Sequence, residues 1–330
     1  QTRSQAMVQM RKFVEARERD DKNRIWMFNL PYKFCLDVYA HMNAISQLDP
    51  IPGSIWTAAY KETVERRRVY QLLLRRSTKT TWDYMFVGST FPTLNELVAI
   101  HPRFIHLSKF SVLYPNEEGD YYYAIPPQDS PHWKPITQND LRNRLIPYAW
   151  NQMIPESEFI FRLKPDADPQ LTDHLFNYMV KKMTLLRITL NYCGPASQDF
   201  LMRMTAGGQL RDLVLSGEWP QSAQKVLMNM TTTDFWYVNL KQTNLSMDTA
   251  MFAHIFRNWR NGRTESFKIT QAVDSFVGLK DLQKAVPDLY YLDKSDYDGR
   301  MAAVWKDRNV EYRKFSLLFE FNGRVTMMCN

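Results

Sequence analysis

The sequence predicts an α/β fold: an N-terminal helical block, then a stack of strand–helix units, closed by a C-terminal β-hairpin. Three observations predict it. Short apolar-x-apolar segments recur five times between residues 158 and 270, with a helical stretch after each of the first four. Leu30-Pro31 opens an amphipathic block that runs to Lys79. Asn322-Gly323 lies between two strand-like runs, and this dipeptide favours a hairpin turn because both positions accept positive φ.

Composition narrows the function classes. A chain of 330 residues fits about two domains or one long architecture. Hydrophobic residues make up 45% and charged residues 23%, a balance that can bury a core. Eleven glycines disfavour Gly-rich linkers and phosphate-cradling loops. No apolar run approaches the roughly 18 residues that a membrane helix needs. Cys35, Cys193 and Cys329 are too few for a disulfide framework and fit an intracellular chain, cytoplasmic or nuclear. A net charge of +7 permits nucleic acid or an acidic partner and requires neither.

In chain order, residues 1–28 read as a charged helix, with Ala6, Met7, Met10 and Val14 at helical spacing. Residues 29–79 read as a helical domain. Tyr32–Met42 places Phe34, Val38 and Met42 on one stripe, with Cys35 and Tyr39 beside it. Asp49-Pro50-Ile51-Pro52-Gly53 is a break, and Ser54 offers an N-cap for a helix from Ile55 to about Arg76. Residues 80–157 read as an irregular connector, with strands at Phe104–Leu113 and Tyr121–Ile125 and one short helix near Asn139–Tyr148.

Residues 158–330 carry the repeat. The anchors are Phe161-x-Leu163, Ile188-x-Leu190, Leu213-x-Leu215, Val238-x-Leu240 and Phe267-x-Ile269, at intervals of 27, 25, 25 and 29 residues. Leu185, Leu210 and Phe235 precede three of them by three positions. The helices between fall at Asp168–Met183, Ala196–Thr205, Ser222–Met230 and Asp248–Trp259. Five strand–helix repeats of about 25–29 residues form a leucine-rich-repeat-like solenoid, because one strand and one helix cannot bury their shared face alone. A non-repeating α/β domain with five strands accounts for the same segments. Beyond 270, a helix at Asp274–Ala285, a strand at Leu289–Leu292 and the hairpin arms Tyr312–Phe321 and Val325–Cys329 complete the chain.

Catalytic patterns are absent from the sequence: no GxGxxG, P-loop, HExxH, GxSxG or CxxC occurs. Gly207-Gly208 reads as a helix C-cap. The six histidines are dispersed, so no metal or other cofactor is expected. Asp168 reads as a carboxylate in a helix first turn, and Asp293, Asp296 and Asp298 as an acidic surface turn whose spacing fails a calcium loop. Arg66-Arg67-Arg68, Arg75-Arg76 and Lys79 form the densest basic cluster; on a helix, Arg68, Arg75 and Lys79 share a face suited to phosphates, or form a solvated face paired with Glu62 and Glu65. The sequons at Asn229 and Asn244 read as chance matches in an intracellular chain.

Asn29 to Leu74 resembles an F-box. The residues that carry the likeness are Leu30, Pro31, Phe34, Val38, Ile55 and Trp56, with 25 positions from Pro31 to Trp56. LPYKFCLDVYAHMNA followed by PGSIWTAAYKETVERRR is similar to the F-box and F-box-associated proteins expanded in nematodes. The segment departs from the common pattern at Lys33, Asp37 and His41. The resemblance implies a non-enzymatic substrate-recognition subunit of an SCF-type cullin–RING ubiquitin ligase. It implies contact with a Skp-type adaptor through Leu30, Pro31, Phe34, Val38 and Trp56, and a protein substrate held by the repeats. An adaptor-independent scaffold and an RNA-binding protein are the competing readings.

Strand alternation assigns the partner face. With the anchors inward, Arg162, Arg187, Thr189, Asp212, Val214, Tyr237, Asn239, Ser266 and Lys268 point outward. Arg and Tyr are the residue types that most often anchor interfaces.

Overall fold

The computed structural model describes residues 31–42, 50–78, 81–113, 127, 129–163, 168–179, 185–230, 235–261, 266–272, 293–297, 300–306, 314–320 and 324–329. The expected helices over 1–28 and 274–285, the strands at 121–125 and 289–292, Leu30, Lys79 and the Asn322-Gly323 turn lie outside them. The protein is mixed α/β and forms two compact units: residues 1–111 with 115–157, and residues 112–114 with 158–330.

Among the described residues, the first unit opens with a pair of helices, α1 (Tyr32–Ala40) and α2 (Ser54–Arg66). Cys35, Leu36 and Tyr39 of α1 bury against Trp56 and Ala59 of α2. The Tyr39 and Trp56 rings meet edge to face at 5.7 Å, and Ile51 N–H donates to the Tyr39 hydroxyl at 2.9 Å. The buried stripe is therefore Cys35-Leu36-Tyr39, whereas Phe34 of the expected stripe is exposed.

The helix expected to reach Arg76 ends ten residues earlier. Arg67 is extended, with ψ 133°, and Arg68–Arg76 forms strand β1. Strand β1 pairs antiparallel with β2 (Trp82–Val87), from Gln71 opposite Val87 to Arg76 opposite Trp82. Tyr70, Leu72, Leu73 and Leu74 are all buried, so this segment gains more from a sheet with covered faces than from an exposed helix. A Cβ on Gly88, just past β2, would sit 2.6 Å from a Tyr70 ring carbon and 2.8 Å from the Val69 carbonyl, which accounts for glycine there.

The segment expected as an irregular connector, 80–157, belongs to this same compact unit apart from residues 112–114. It holds β2, α3 (Leu94–Ala99), β3 (Ile105–Leu113), β4 (Lys134–Ile136), α4 (Ile146–Gln152) and the first half of β5 (Met153–Phe161). Thr93 and Glu96 close a capping box on α3, and a π turn at Leu141–Leu145 leads into α4. The strand order is β3-β1-β2-β4.

The second unit is a sheet in the order β5-β6-β7-β8-β9-β13-β12-β11-β10. Residues 158–161 of β5, β6 (Arg187–Asn191), β7 (Asp212–Gly217), β8 (Tyr237–Thr243) and β9 (Phe267–Ala272) run parallel. The connections carry α5 (Pro169–Met179), α6 (Pro195–Ala206), α7 (Gln224–Met230) and α8 (Thr249–Arg260). β10 (Asp293–Tyr297), β11 (Arg300–Lys306), β12 (Lys314–Glu320) and β13 (Arg324–Cys329) add in antiparallel pairs. Asp293–Tyr297, expected as an acidic turn, is thus a strand. β12 and β13 pair from Phe315 opposite Cys329 to Glu320 opposite Arg324, and β13 then seats on β9.

The register corrects two of the five anchors. Phe159, Ile188, Leu213, Val238 and Ile269 lie opposite one another across the five parallel strands. The first anchor is therefore Phe159-x-Phe161 and the last begins at Ile269, each displaced by two residues. A two-residue slip preserves the face, so the inward and outward sets keep their sides. The inward side chains meet the helices: Phe159 stands 6.4 Å from Phe176 of α5 and 5.7 Å from Phe200 of α6. Phe252, Phe256 and Trp259 of α8 surround Phe315, which is 5.8 Å from Phe267.

Candidate functional site

The side of β5–β9 that faces away from these helices brings the outward residues into two adjacent rows. Glu158 lies opposite Arg187, Arg187 opposite Asp212, Asp212 opposite Tyr237 and Tyr237 opposite Lys268. Neighbours in the row are one strand apart, about 4.8 Å. The second row, Ile160, Thr189, Val214, Asn239 and Thr270, runs beside it. Arg162 continues past β5, with its N–H on the Val112 carbonyl at 2.9 Å.

Electrostatics fix part of the row. Arg187 Nε lies 3.0 Å from Asp212 Oδ2, with the Arg187 side chain 53% exposed and Asp212 25% exposed. Burial pushes the Asp212 carboxyl above its ordinary value; Arg187 pulls it back, Glu158 adds to the rise and Arg211 opposes it. Asn239 Nδ2 donates to the Tyr237 hydroxyl at 3.0 Å, and Asn239 Oδ1 accepts from Lys241 N–H at 3.0 Å across the irregularity in β8. Tyr237 and Asn239 therefore hold each other in place.

Of the nine outward residues put forward above, Arg162, Arg187, Asp212, Tyr237, Asn239 and Lys268 lie on this face. Thr189 does not contribute, because it is 4% exposed between Ile160 and Val214. The sequence reading missed one residue of this row, Glu158, and a stacked pair at the strand starts, Arg211 and Trp236. Glu158 heads the row. Arg211 and Trp236 sit one residue before β7 and β8, and the Arg211 guanidinium stacks 4.3 Å over the Trp236 ring. Trp236 is 46% exposed. The signal was available: Arg211-Asp212 and Trp236-Tyr237 are 25 residues apart, the same interval as the anchors Leu213 and Val238.

The residues implied as adaptor contacts divide. Pro31 precedes the first turn of α1 and is exposed, Phe34 is 42% exposed and Val38 is half-buried. Trp56 is 3% exposed and belongs to the core of the helix pair, with Phe34 edge-on to it at 6.3 Å. Trp56 thus supports Phe34 from below instead of offering a contact surface.

The basic cluster is not a helical face. Arg66 pairs with Glu62 at 2.7 Å and lies 4.1 Å over Phe104, and Arg67 donates to His106 Nδ1 at 2.8 Å and to the Met42 carbonyl. Arg68 donates to the Glu65 carbonyl at 2.8 Å. Arg75 pairs with Asp83 at 3.2 Å under the Trp133 ring, and Arg76 Nε donates to the Thr78 carbonyl at 3.1 Å. Burial lowers the pKa of Arg67. Each guanidinium has a local partner.

Asp168 accepts from Leu171 N–H at 2.9 Å at the start of α5, and Gly208, with φ 65°, follows the end of α6. Cys193 is pushed up to about 12 by burial, which leaves it a thiol at neutral pH. Among the described residues, no three His, Cys, Asp or Glu side chains gather to hold a metal ion, and no helix is long and apolar enough to cross a membrane. The fold and face define a mixed α/β protein with an open sheet and a charged, aromatic strand face. Comparison with protein-family models, curated proteins and solved structures returns no match.

Proposed function

We propose that the chain is a non-enzymatic protein-recognition subunit, the substrate receptor of an SCF-type ubiquitin ligase. The observation that carries recognition is the row Glu158–Arg187–Asp212–Tyr237–Lys268: one polar or aromatic side chain from each of five parallel strands, on the face opposite the helices. The spacing of the buried anchors and the helix in each connection support a leucine-rich-repeat-like unit. The exposed Pro31 and Phe34 at the start of α1 support an adaptor edge.

The second reading is an adaptor-independent scaffold with the same partner face. Two features favour it: Trp56 is spent in the core, and α2 is followed directly by β1. The local pairing of residues 66–76 takes away the support for RNA binding. Co-expression of the full chain with a Skp-type adaptor separates the first two. In the receptor reading the adaptor co-purifies, and the double change Leu30→Ala with Pro31→Ala abolishes this while the thermal midpoint stays nearly constant. Absence of adaptor from the parent complex selects the scaffold. In either reading, Arg187→Ala with Tyr237→Ala weakens partner capture by about 2 kcal/mol with little change in stability. Unchanged capture excludes this face.

A further inference from the structure

The row across the five parallel strands is complementary to itself when reversed. In order it is Glu158, Arg187, Asp212, Tyr237 and Lys268, one residue from each of β5 to β9. Its two ends carry opposite charges, four strands and roughly 19 Å apart. Inside the ends stand a guanidinium and a phenol ring, which attract one another face to face. Asp212 is the centre. The Arg187 side chain is 53% exposed although its Nε lies 3.0 Å from Asp212 Oδ2, and a guanidinium paired through its edge keeps a flat face for a ring. Lys268 is exposed, and Glu158 and Tyr237 are half-buried. The second row has its own centre at Val214, with Ile160 and Thr270 at the ends and Thr189 and Asn239 between.

We infer that this face pairs with the same face of a second copy of the chain, about a two-fold axis parallel to β7 and above Asp212. Such an axis lays β5 of one copy over β9 of the other, and β6 over β8. Glu158 then meets Lys268 of the second copy, twice, and Arg187 meets Tyr237, twice. In the second row, Val214 meets Val214 and Ile160 meets Thr270. A two-fold axis along the row instead lays each strand over its own copy. That arrangement sets Glu158 on Glu158, Arg187 on Arg187 and Lys268 on Lys268, and like charges in contact disfavour it. The one like pair in the first arrangement is Asp212 on Asp212, at the axis. Burial already favours the protonated form of this carboxyl, Arg187 stands beside each copy of it, and two carboxyl groups in one site share a proton. Two rows across five strands cover far less than the roughly 800 Å² per partner of a standard interface, so the dimer is weak and salt-sensitive. This goes beyond the recognition reading: a protein partner on the same face competes with the second copy.

The test is sedimentation equilibrium of the full chain over a range of protein concentrations, at low salt and at about 0.5 M salt. The expected result is a monomer–dimer equilibrium that high salt weakens. Glu158→Lys and Lys268→Glu are each expected to weaken self-association about tenfold or more, because each sets like charges against one another twice. Mixed in equal amounts, the two variants are expected to form a dimer with one chain of each, since both end contacts then join a lysine to a glutamate. A chain carrying both changes is expected to dimerise alone. The far-UV spectrum and unfolding midpoint are expected to be preserved throughout. Glu158→Gln with Lys268→Gln is the milder variant, expected to weaken the dimer and remove most of its salt dependence. A parent chain that stays monomeric at every concentration overturns the inference. So does a dimer that the single changes leave intact, or one that mixing fails to restore. Any of these leaves the recognition reading standing, because capture of protein partners is read separately; if Arg187→Ala with Tyr237→Ala also leaves that capture unchanged, both fall.

Discussion

Asp212 shows how one half-buried carboxylate couples the partner face to pH. Burial raises its pKa, Arg187 and Arg211 act against the rise, and Glu158 adds to it. The folded protein therefore holds this proton more tightly than the unfolded chain does. The stabilisation from the group is present below the ordinary Asp value, about 3.9, and is lost as pH rises through the higher folded value. Asp212→Asn removes the titration. Urea midpoints taken from pH 3.5 to 7 are expected to fall for the parent relative to the variant over that interval, and parallel curves would show that Asp212 is not perturbed. Arg187 offsets part of the cost at neutral pH, and its exposed pairing is worth about 0.5 kcal/mol. Which residues share the face was legible from alternation alone. The burial of Thr189 was not, because it depends on the neighbours Ile160 and Val214 that the register supplies.

At the scale of elements, local signals succeeded where the element ends in its own capping chemistry. Asp248 accepts from Met251 N–H at 2.9 Å and begins α8 as expected, and α6 ends at the expected Gly207-Gly208. The misread element was β1. No Gly or Pro separates α2 from it, and Arg66-Arg67-Arg68 is compatible with helix. What ends the helix is tertiary: the Arg67 guanidinium reaches His106 and the Met42 carbonyl, and the following residues pair with β2. The adaptor edge was half legible for a similar reason. The sequence cannot say whether an aromatic on an amphipathic helix supports or contacts; the packing of α1 on α2 decides it. Trp56→Ala is expected to cost about 3–5 kcal/mol, because its ring fills the space between Phe34 and Tyr39. Phe34→Ala is expected to cost less than about 1 kcal/mol, since 42% of the residue is already in water. Urea denaturation followed by tryptophan fluorescence for Phe34→Ala, and by circular dichroism for Trp56→Ala, reads both. Equal costs would mean that Phe34 is core and no apolar adaptor edge exists.

For the whole molecule, the spacing of the apolar strand anchors was legible in the sequence but their phase was not. Phe159-Ile160-Phe161-Arg162-Leu163 offers two overlapping apolar-x-apolar pairs, and both satisfy strand alternation. Only the pairing of Phe159 with Ile188 selects the first. The strand β10 was missed because Asp293–Tyr297 carries charges that read as a turn; it pairs with β11, and β11 in turn pairs with β12. In the repeat reading proposed above, each strand–helix pair shares stability mainly with its neighbours. Phe200 tests this within the second unit. It is fully buried in α6 and touches Phe176 of α5 at 5.0 Å and Phe159 of β5 at 5.7 Å, so its ring joins α6 to the preceding helix and strand. Phe200→Ala is expected to cost about 3–5 kcal/mol through the cavity it leaves. Hydrogen exchange is expected to speed up first in β5, α5, β6 and α6, while β12 and β13, at the far side of β9, keep their protection under mildly native conditions. Equal acceleration across all of these strands would show that the second unit opens as one cooperative block, and the stacked-unit description of its stability would then be wrong.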